Sequence, residues 1–128
     1  MTVLLDTHVW LWMLTDPSRL GSLRPWLEDE ANALLFSAAS SWEIAIKHAL
    51  GRLPLPEPPA SFVPSRIRAT GVTPIAIEHT HALGVASLPR HHHDPFDRLL
   101  VAQALAYDVP LATADAALKT YDVRILTP

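Results

Sequence analysis

Short apolar segments alternate with helix-like patterns along nearly the whole chain, and this alternation limits the possible fold more than any other feature. The apolar segments cover residues 2–5, 33–37, 72–77, 110–112 and 123–126. Helical patterns lie between them, at residues 8–14, 20–30, 40–50, 62–70, 78–86, 95–107 and 116–121. Strands that alternate with helices are typical of a parallel sheet covered by helices. The sequence therefore predicts an α/β fold with a mostly parallel central sheet.

The length of 128 residues suits one domain, and we expect a single domain over residues 1–128. Residues 53–59 (LPLPEPP) are too rich in proline for a regular helix, and we interpret them as a loop within that domain. Pro74 interrupts the segment 72–77, which favours an edge strand there.

The composition excludes several kinds of site. The chain has no cysteine, which rules out disulfides, thiolate zinc sites and cysteine nucleophiles and suits a reducing compartment. The apolar N-terminal run is short, has no Lys or Arg before it and is interrupted by Asp6 and His8, so we expect a cytoplasmic protein with no membrane segment. Hydrophobic residues make up 49% and charged residues 18% of the chain, which indicates apolar surface covered by a partner.

Four acidic residues, Asp6, Glu43, Asp97 and Asp115, fall where a strand ends or a helix begins. The carboxyl ends of parallel strands share one edge of a sheet, and ligands bind there, so the four side chains can form one cluster. Such a cluster repels itself unless a cation neutralises it, and carboxylates suit Mg²⁺ or Mn²⁺. A magnesium ion of this kind activates water beside a phosphate, which predicts phosphodiester hydrolysis.

Each acid also has a purely structural interpretation. Ser40 and Glu43 have the spacing of a capping box, and Asp94-Pro95 followed by Asp97 reads as the beginning of a helix. Asp115 has the position of a cap for the short helix after it. For any single acid capping is the more common role, but four caps on one sheet edge are harder to explain. Asp6 directly ends a buried strand, where an acid is costly without a partner.

Four segments carry a resemblance to a known family: VLLDTHVWLW, FSAASSWEIAIK, HHHDPFDRLLVAQA and PLATAD. They resemble the successive motifs of PIN-domain ribonucleases, most of all the VapC-type toxins of bacterial toxin–antitoxin modules. The resemblance runs from residue 5 to residue 126. It implies a three-layer α/β/α sandwich and a metal-dependent endoribonuclease that leaves a 5′-phosphate and a 3′-hydroxyl. It also implies a homodimer, and a cognate antitoxin that covers the acidic groove.

The resemblance assigns roles to individual residues. Asp6, Glu43 and Asp97 match the acids that ligate the Mg²⁺ or Mn²⁺ ion and carry the catalysis, and Asp115 matches a fourth, more variable one. The motifs are compatible with one bound ion or with two. Three hydroxyl residues, Thr7, Ser40 and Thr113, match positions that orient the metal ligands. Asp94 is either a helix cap or a further ligand.

The sequence offers weaker candidates for contact with the RNA substrate. Lys47 and Arg98 follow motif acids and either pair with carboxylates or reach RNA phosphate. The run His91–His93 reads as a solvated loop, with His93 as its candidate for substrate contact. Trp12 is a candidate for a subunit or antitoxin interface, where tryptophan is enriched.

Other functions that rest on aspartate chemistry fit the sequence less well. A haloacid-dehalogenase-like phosphatase needs a second Asp two residues after the first, and position 8 is His8. The alternative that stays open is a catalytically silent PIN-fold scaffold or protein-interaction module. The presence of all four acids disfavours it.

Overall fold

A computed structural model describes all residues, 1–128, and has one central sheet of five strands, all parallel. The strands stand in the order β3-β2-β1-β4-β5. Their bounds are Thr2–Leu5 (β1), Ala33–Ser37 (β2), Thr73–Ile75 (β3), Leu111–Ala112 (β4) and Ile125–Leu126 (β5). The parallel sheet is thus confirmed, and Pro74 lies in an edge strand, where its missing N–H is tolerated.

Six α-helices and three short 3₁₀ segments connect the strands. The helices are Thr7–Thr15 (α1), Leu23–Glu28 (α2), Ala38–Ala49 (α3), Pro59–Thr70 (α4), His79–Gly84 (α5) and Pro95–Tyr107 (α6). The 3₁₀ segments are Pro17–Leu20, Val85–Ser87 and Ala116–Thr120. None of the helices combines the length and the apolar character that crossing a bilayer would require.

Two of the expected helices are divided in the structure. Residues 20–30 separate into a 3₁₀ turn and α2, because Gly21 takes a positive φ of 50° that a continuing helix does not allow. Residues 78–86 separate into α5 and a 3₁₀ turn. The expected helix over 95–107 is confirmed with both ends in place.

The core lies on both faces of the sheet, which gives the three-layer α/β/α arrangement. Side chains alternate along β1, so that Val3 and Leu5 belong to one buried cluster and Leu4 to the other. The first cluster packs against α1, α2 and α4, and includes Trp10. The second packs against α6 and includes Leu100.

The connections of the sheet reverse direction beside β1. The chain first builds β2 and β3 on one side of β1 and then returns to build β4 and β5 on the other. In open α/β sheets the crevice at such a reversal, outside the carboxyl ends of the strands, is where ligands bind. The residues that follow β1, β2 and β4 therefore surround one crevice.

Candidate active site

The crevice at the carboxyl ends of β1, β2 and β4 contains a cavity of about 350 Å³. All four acids singled out in the sequence line it, together with Trp12, which was expected at an interface, and His92, which was expected in a solvated loop. Its lining residues are Asp6, His8, Trp12, Glu43, His92, Asp94, Asp97, Ala114 and Asp115. Elements far apart in the chain thus bring five carboxylates to one place.

Asp6 follows β1 directly and stands at the N-cap position of α1, but its side chain makes no capping bond. Its carboxylate points to the cavity, where the Thr113 hydroxyl donates to Oδ2 at 2.6 Å. The other oxygen, Oδ1, is buried and has no hydrogen-bond partner, although Asp6 is only 5% exposed. Burial raises the pKa of Asp6 and the charge of Glu43 adds to this, while Thr113 and His8 act in the opposite sense.

Glu43 lies inside α3 because the helix begins earlier than the sequence suggested. Ser37 is the N-cap, and its hydroxyl oxygen accepts a hydrogen bond from the Ala39 N–H at 3.0 Å. The expected capping box of Ser40 and Glu43 is therefore wrong: both residues lie within the helix. Glu43 is buried and free to face the cavity.

Two donors hold the Glu43 carboxylate. The Thr7 hydroxyl donates to Oε1 at 2.7 Å and also lies 2.8 Å from the Ser40 hydroxyl. Lys47, one helical turn after Glu43, forms an ion pair with Oε2. Burial lowers the pKa of Lys47, but the hydrogen bond and the charge of Glu43 outweigh this and raise it. Lys47 thus stays charged and belongs to the acid cluster.

Asp94 and Asp97 have different tasks at the beginning of α6. Asp94 is the N-cap, since its Oδ1 accepts from the N–H groups of Phe96 (2.9 Å) and Asp97 (3.3 Å). Asp97 sits in the first turn of the helix, buried, and receives no hydrogen bond from the protein. Burial, together with the charges of the surrounding acids, Asp6 first among them, raises its pKa to about 8.

Asp115 caps the 3₁₀ turn after β4, as its Oδ1 accepts from the Ala117 N–H at 3.0 Å. Its Oδ2 lies 2.9 Å from Nε2 of His92, and the same nitrogen is 3.6 Å from Asp97 Oδ2. His92 is held in turn by the Asp94 backbone N–H, 3.0 Å from its Nδ1. Asp115 therefore caps the 3₁₀ turn with one oxygen and takes part in the acidic cluster with the other.

The structure separates the candidates for substrate contact. Lys47 stands at the cluster, whereas the Arg98 guanidinium donates to the carbonyl oxygens of Val85 and Leu88, both at 3.2 Å, and does not line the cavity. His93 is exposed and does not line the cavity either; its neighbour His92 does. Nothing in a run of three identical residues could distinguish them.

Trp12 was not predicted as a cavity residue, although it lies only six residues after Asp6. It is half-buried, lines the cavity beside His8, and carries the Arg19 guanidinium over its ring at 4.2 Å. The spacing of His8 and Trp12 along α1 could have indicated this, because residues four apart share a helix face.

The donor set suits a hard divalent cation. A buried carboxylate oxygen without a partner, on Asp6, and a carboxylate with a strongly raised pKa, on Asp97, both face one cavity. A positive ion in the cavity relieves both features at once, and oxygen ligands are what Mg²⁺ and Mn²⁺ prefer. The residues present therefore fit such an ion.

Comparison with known proteins identifies the family. The model of the PIN domain matches residues 3–124. Ribonuclease VapC22 of Mycobacterium tuberculosis is 32% identical over 123 residues, which cover 94% of this chain and 92% of that protein. Ribonuclease VapC16 of the same organism is 53% identical over 55 residues, which cover 43% of this chain and only 39% of that protein.

The fold also matches a solved structure, that of VapBC2 from Rickettsia felis bound to a DNA fragment from its promoter. The TM-score is 0.72 at 14% identity, and the match covers 99% of this chain and 98% of that one. The chain belongs to the PIN-domain family.

Proposed function

We propose that this chain is a metal-dependent endoribonuclease and the toxin of a toxin–antitoxin module. The observation that carries the proposal is the convergence of Asp6, Glu43, Asp97 and Asp115 on one cavity, with a buried Asp6 oxygen that has no partner. Two PIN-domain relatives named as ribonucleases support the reaction class.

Mg²⁺ or Mn²⁺ is the proposed cofactor. Asp6 and Asp97 offer free carboxylate oxygens to it, and Glu43 and Asp115 complete the negative surroundings. When bound, the ion supplies Lewis-acid activation of water and neutralises charge on the phosphate. The raised pKa of Asp97 means that this ligand is fully ionised at neutral pH only when a cation is present.

The reaction is hydrolysis without a covalent enzyme intermediate. The water oxygen forms a bond to phosphorus while the bond from phosphorus to O3′ breaks, so the products carry a 5′-phosphate and a 3′-hydroxyl. The chain itself orients the acids: Thr113 fixes Asp6, and Thr7 with Lys47 fixes Glu43. Such outer contacts set the direction of ligand oxygens. No cysteine or free serine lies in the cavity to act as a nucleophile instead.

RNA is the proposed substrate, and a cognate antitoxin and a second copy of this chain are the proposed protein partners. The solved neighbour is a VapBC complex, which supports an antitoxin partner. Exposed large apolar side chains, among them Trp42 at 53% and Leu83 at 73% exposure, support contact with other protein surfaces.

The test is RNA cleavage by the purified chain with Mg²⁺ or Mn²⁺. We expect Asp6→Asn and Asp97→Asn each to abolish cleavage while circular dichroism shows an intact fold. Asp122→Asn is the matched control, because Asp122 is an exposed acid outside the cavity, and it should cleave like the unmodified chain. Full metal-dependent cleavage by either cavity variant would refute the proposal. RNA binding without cleavage by the unmodified chain would favour the silent scaffold instead.

A further inference from the structure

A second cavity, here called the apolar cavity, adjoins the candidate active site. Its volume is about 430 Å³, within the range of roughly 300–1,000 Å³ that is usual for pockets that hold small organic groups. Its walls are mainly apolar and come from α1, from α4 and from the proline-rich loop at residues 53–56. His8 and Trp12 line both this cavity and the acidic one. The two cavities therefore meet at these two side chains.

Aromatic rings held by arginine side chains line the apolar cavity. Trp12 is half-buried, and the Arg19 guanidinium lies over its ring, 4.2 Å from the centroid. On the opposite helix, the Arg66 guanidinium lies 4.6 Å from the centroid of the Phe62 ring and donates to Glu57 at 2.7 Å. Contacts between a cation and an aromatic face are attractive and fix the ring in place. The cavity thus offers flat surfaces that are already formed.

The charge beside the apolar cavity favours a nucleotide over an apolar peptide as its occupant. Arg66 is neutralised by Glu57, but Arg19 is exposed and forms no ion pair. An apolar peptide segment would leave the Arg19 guanidinium unpaired. A nucleotide brings a flat apolar base together with a phosphate, and a phosphate is a strong acceptor for a guanidinium.

We propose that the apolar cavity binds the base of the RNA nucleotide next to the cleaved phosphodiester bond, stacked on Trp12, with Arg19 beside a phosphate. The inference rests on the proposed ribonuclease function and specifies the form of its substrate. Every base has an aromatic face, so stacking accepts any base. A base paired in a duplex must first leave its partner and its stack, which costs free energy. The cavity therefore selects RNA that is unpaired at this nucleotide.

The first experiment measures cleavage of a short single-stranded RNA with one mapped cleavage site, in Mn²⁺. We expect Trp12→Ala to lower kcat/KM about 5- to 150-fold, mainly through KM. An RNA without the base on one side of the cleaved bond should show a similar loss, and combining the two changes should add little further loss. Trp12→Phe keeps a ring and should lose less. Tyr107→Ala, which removes an exposed ring at the far end of α6 from Asp97, should cleave like the unmodified chain.

The second experiment measures the charge of Arg19 and the need for an unpaired nucleotide. Arg19→Met should weaken RNA binding and reduce the slope of log affinity against log salt by about one, as expected for the loss of one phosphate contact. Arg124→Met should leave this slope unchanged, because Arg124 is exposed at the amino end of β5, on the opposite edge of the sheet. A complementary strand paired across the cleaved bond should suppress cleavage.

Fully additive losses from Trp12→Ala and from base removal on either side of the bond would overturn the inference, because independent effects mean that the two groups do not touch. Unchanged kinetics in a folded Trp12→Ala would also overturn it and leave the cavity to a protein partner. Crosslinking covers the case in which the variant fails to fold. Single-stranded RNA of mixed sequence that contains iodouridine, irradiated with the unmodified chain, should attach to Trp12, and attachment only at other residues would contradict the inference.

The crosslink also separates the apolar cavity from the catalytic function. Attachment to Trp12 without any cleavage would refute the proposed ribonuclease and support the cavity as a binding site for an RNA base. Cleavage that does not depend on Trp12 would refute the inference and leave the ribonuclease standing. A chain that neither attaches nor cleaves RNA would refute both.

Discussion

Replacing Asp97 by Asn should stabilise the metal-free protein at neutral pH while it removes the function. Asp97 is buried among other carboxylates and receives no hydrogen bond, and its pKa rises from 3.8 to about 8. A group whose pKa is raised by folding contributes stability at low pH and loses it as the pH rises. For Asp97 the loss begins near pH 4 and is complete above pH 8.

The magnitude follows from the pKa. At pH 7.5 the rise from 3.8 to about 8 corresponds to roughly 5 kcal/mol of lost folding free energy, at about 1.36 kcal/mol per pKa unit. Asn carries no charge and avoids this loss, but its buried amide lacks a protein partner, which costs about 1–3 kcal/mol. The net gain at pH 7.5 is thus about 2–4 kcal/mol, a rise in Tm of roughly 5–15 °C for a chain of this size.

The assay is thermal unfolding in EDTA at pH 7.5 and pH 5.0. At pH 5.0 the loss from Asp97 is only about 1.6 kcal/mol, so the advantage of Asn should nearly vanish. Saturating Mg²⁺ or Mn²⁺ should raise the Tm of the unmodified chain and leave Asp97→Asn unchanged, since a cation that binds only the folded state stabilises it. Asp122→Asn, at an exposed acid, should match the unmodified chain throughout.

Two results would refute this reasoning. One is an Asp97→Asn variant that is less stable than the unmodified chain in EDTA at pH 7.5. The other is an advantage of the same size at both pH values, because that would exclude ionisation as its cause. The first result would mean that Asp97 has a stabilising partner in solution, and the second that the gain comes from contacts of the Asn amide and not from the removal of a charge.

Three further substitutions test the surroundings of the cluster. Lys47→Met should destabilise the metal-free chain by roughly 2 kcal/mol in urea unfolding, because it leaves the buried Glu43 carboxylate without its ion pair, and Lys47→Arg should restore most of this. Thr113→Val should raise the pKa of Asp6 further and weaken Mn²⁺ binding about tenfold by calorimetry, while Thr113→Ser, which keeps the hydroxyl, should bind normally. Arg98→Met should cost about 2 kcal/mol of stability through two lost hydrogen bonds to loop carbonyls and should leave the KM for RNA within twofold; a larger rise in KM would return Arg98 to the substrate path.

The parallel sheet and the meeting of the acids were predictable, because both depend on patterns with a direct structural meaning. A short apolar strand followed by an acid places that acid at a sheet edge whatever the details of packing. The same holds for the N-cap at Asp94, where Pro95 at the first helical position fixes where α6 begins. Local rules of this kind need no knowledge of distant contacts.

Other features of the site could not be predicted, because neighbouring residues in the sequence were equally suited to the same role. Ser37 and Ser40 are both good caps, and the sequence favoured Ser40, but the end of β2 places Ser37 at the boundary. A run of three histidines has no periodicity from which the inward residue can be read. Arg98 follows a motif acid, yet the packing of a 3₁₀ turn against α6 supplies the carbonyls that hold it. Each outcome was decided by contacts between distant parts of the chain.

The four acids of the cavity receive different numbers of hydrogen-bond donors, and this difference affects both the stability of the metal-free chain and its proposed metal binding. Glu43 and Asp115 each receive two donors from the chain, so the fold can supply donors in this crevice. Asp97 receives none, and Asp6 keeps one buried oxygen free. Asp97 and Asp6 Oδ1 therefore lack hydrogen-bond donors because the donors of this crevice lie beside Glu43 and Asp115, and not because the crevice has none. A site with a donor on every carboxylate would be more stable without metal, so a cation would relieve less charge repulsion when it binds. In the metal-free chain at neutral pH, the charges on Asp6 and Asp97 lower the free energy of unfolding. A cation bound through the same two residues would raise it again.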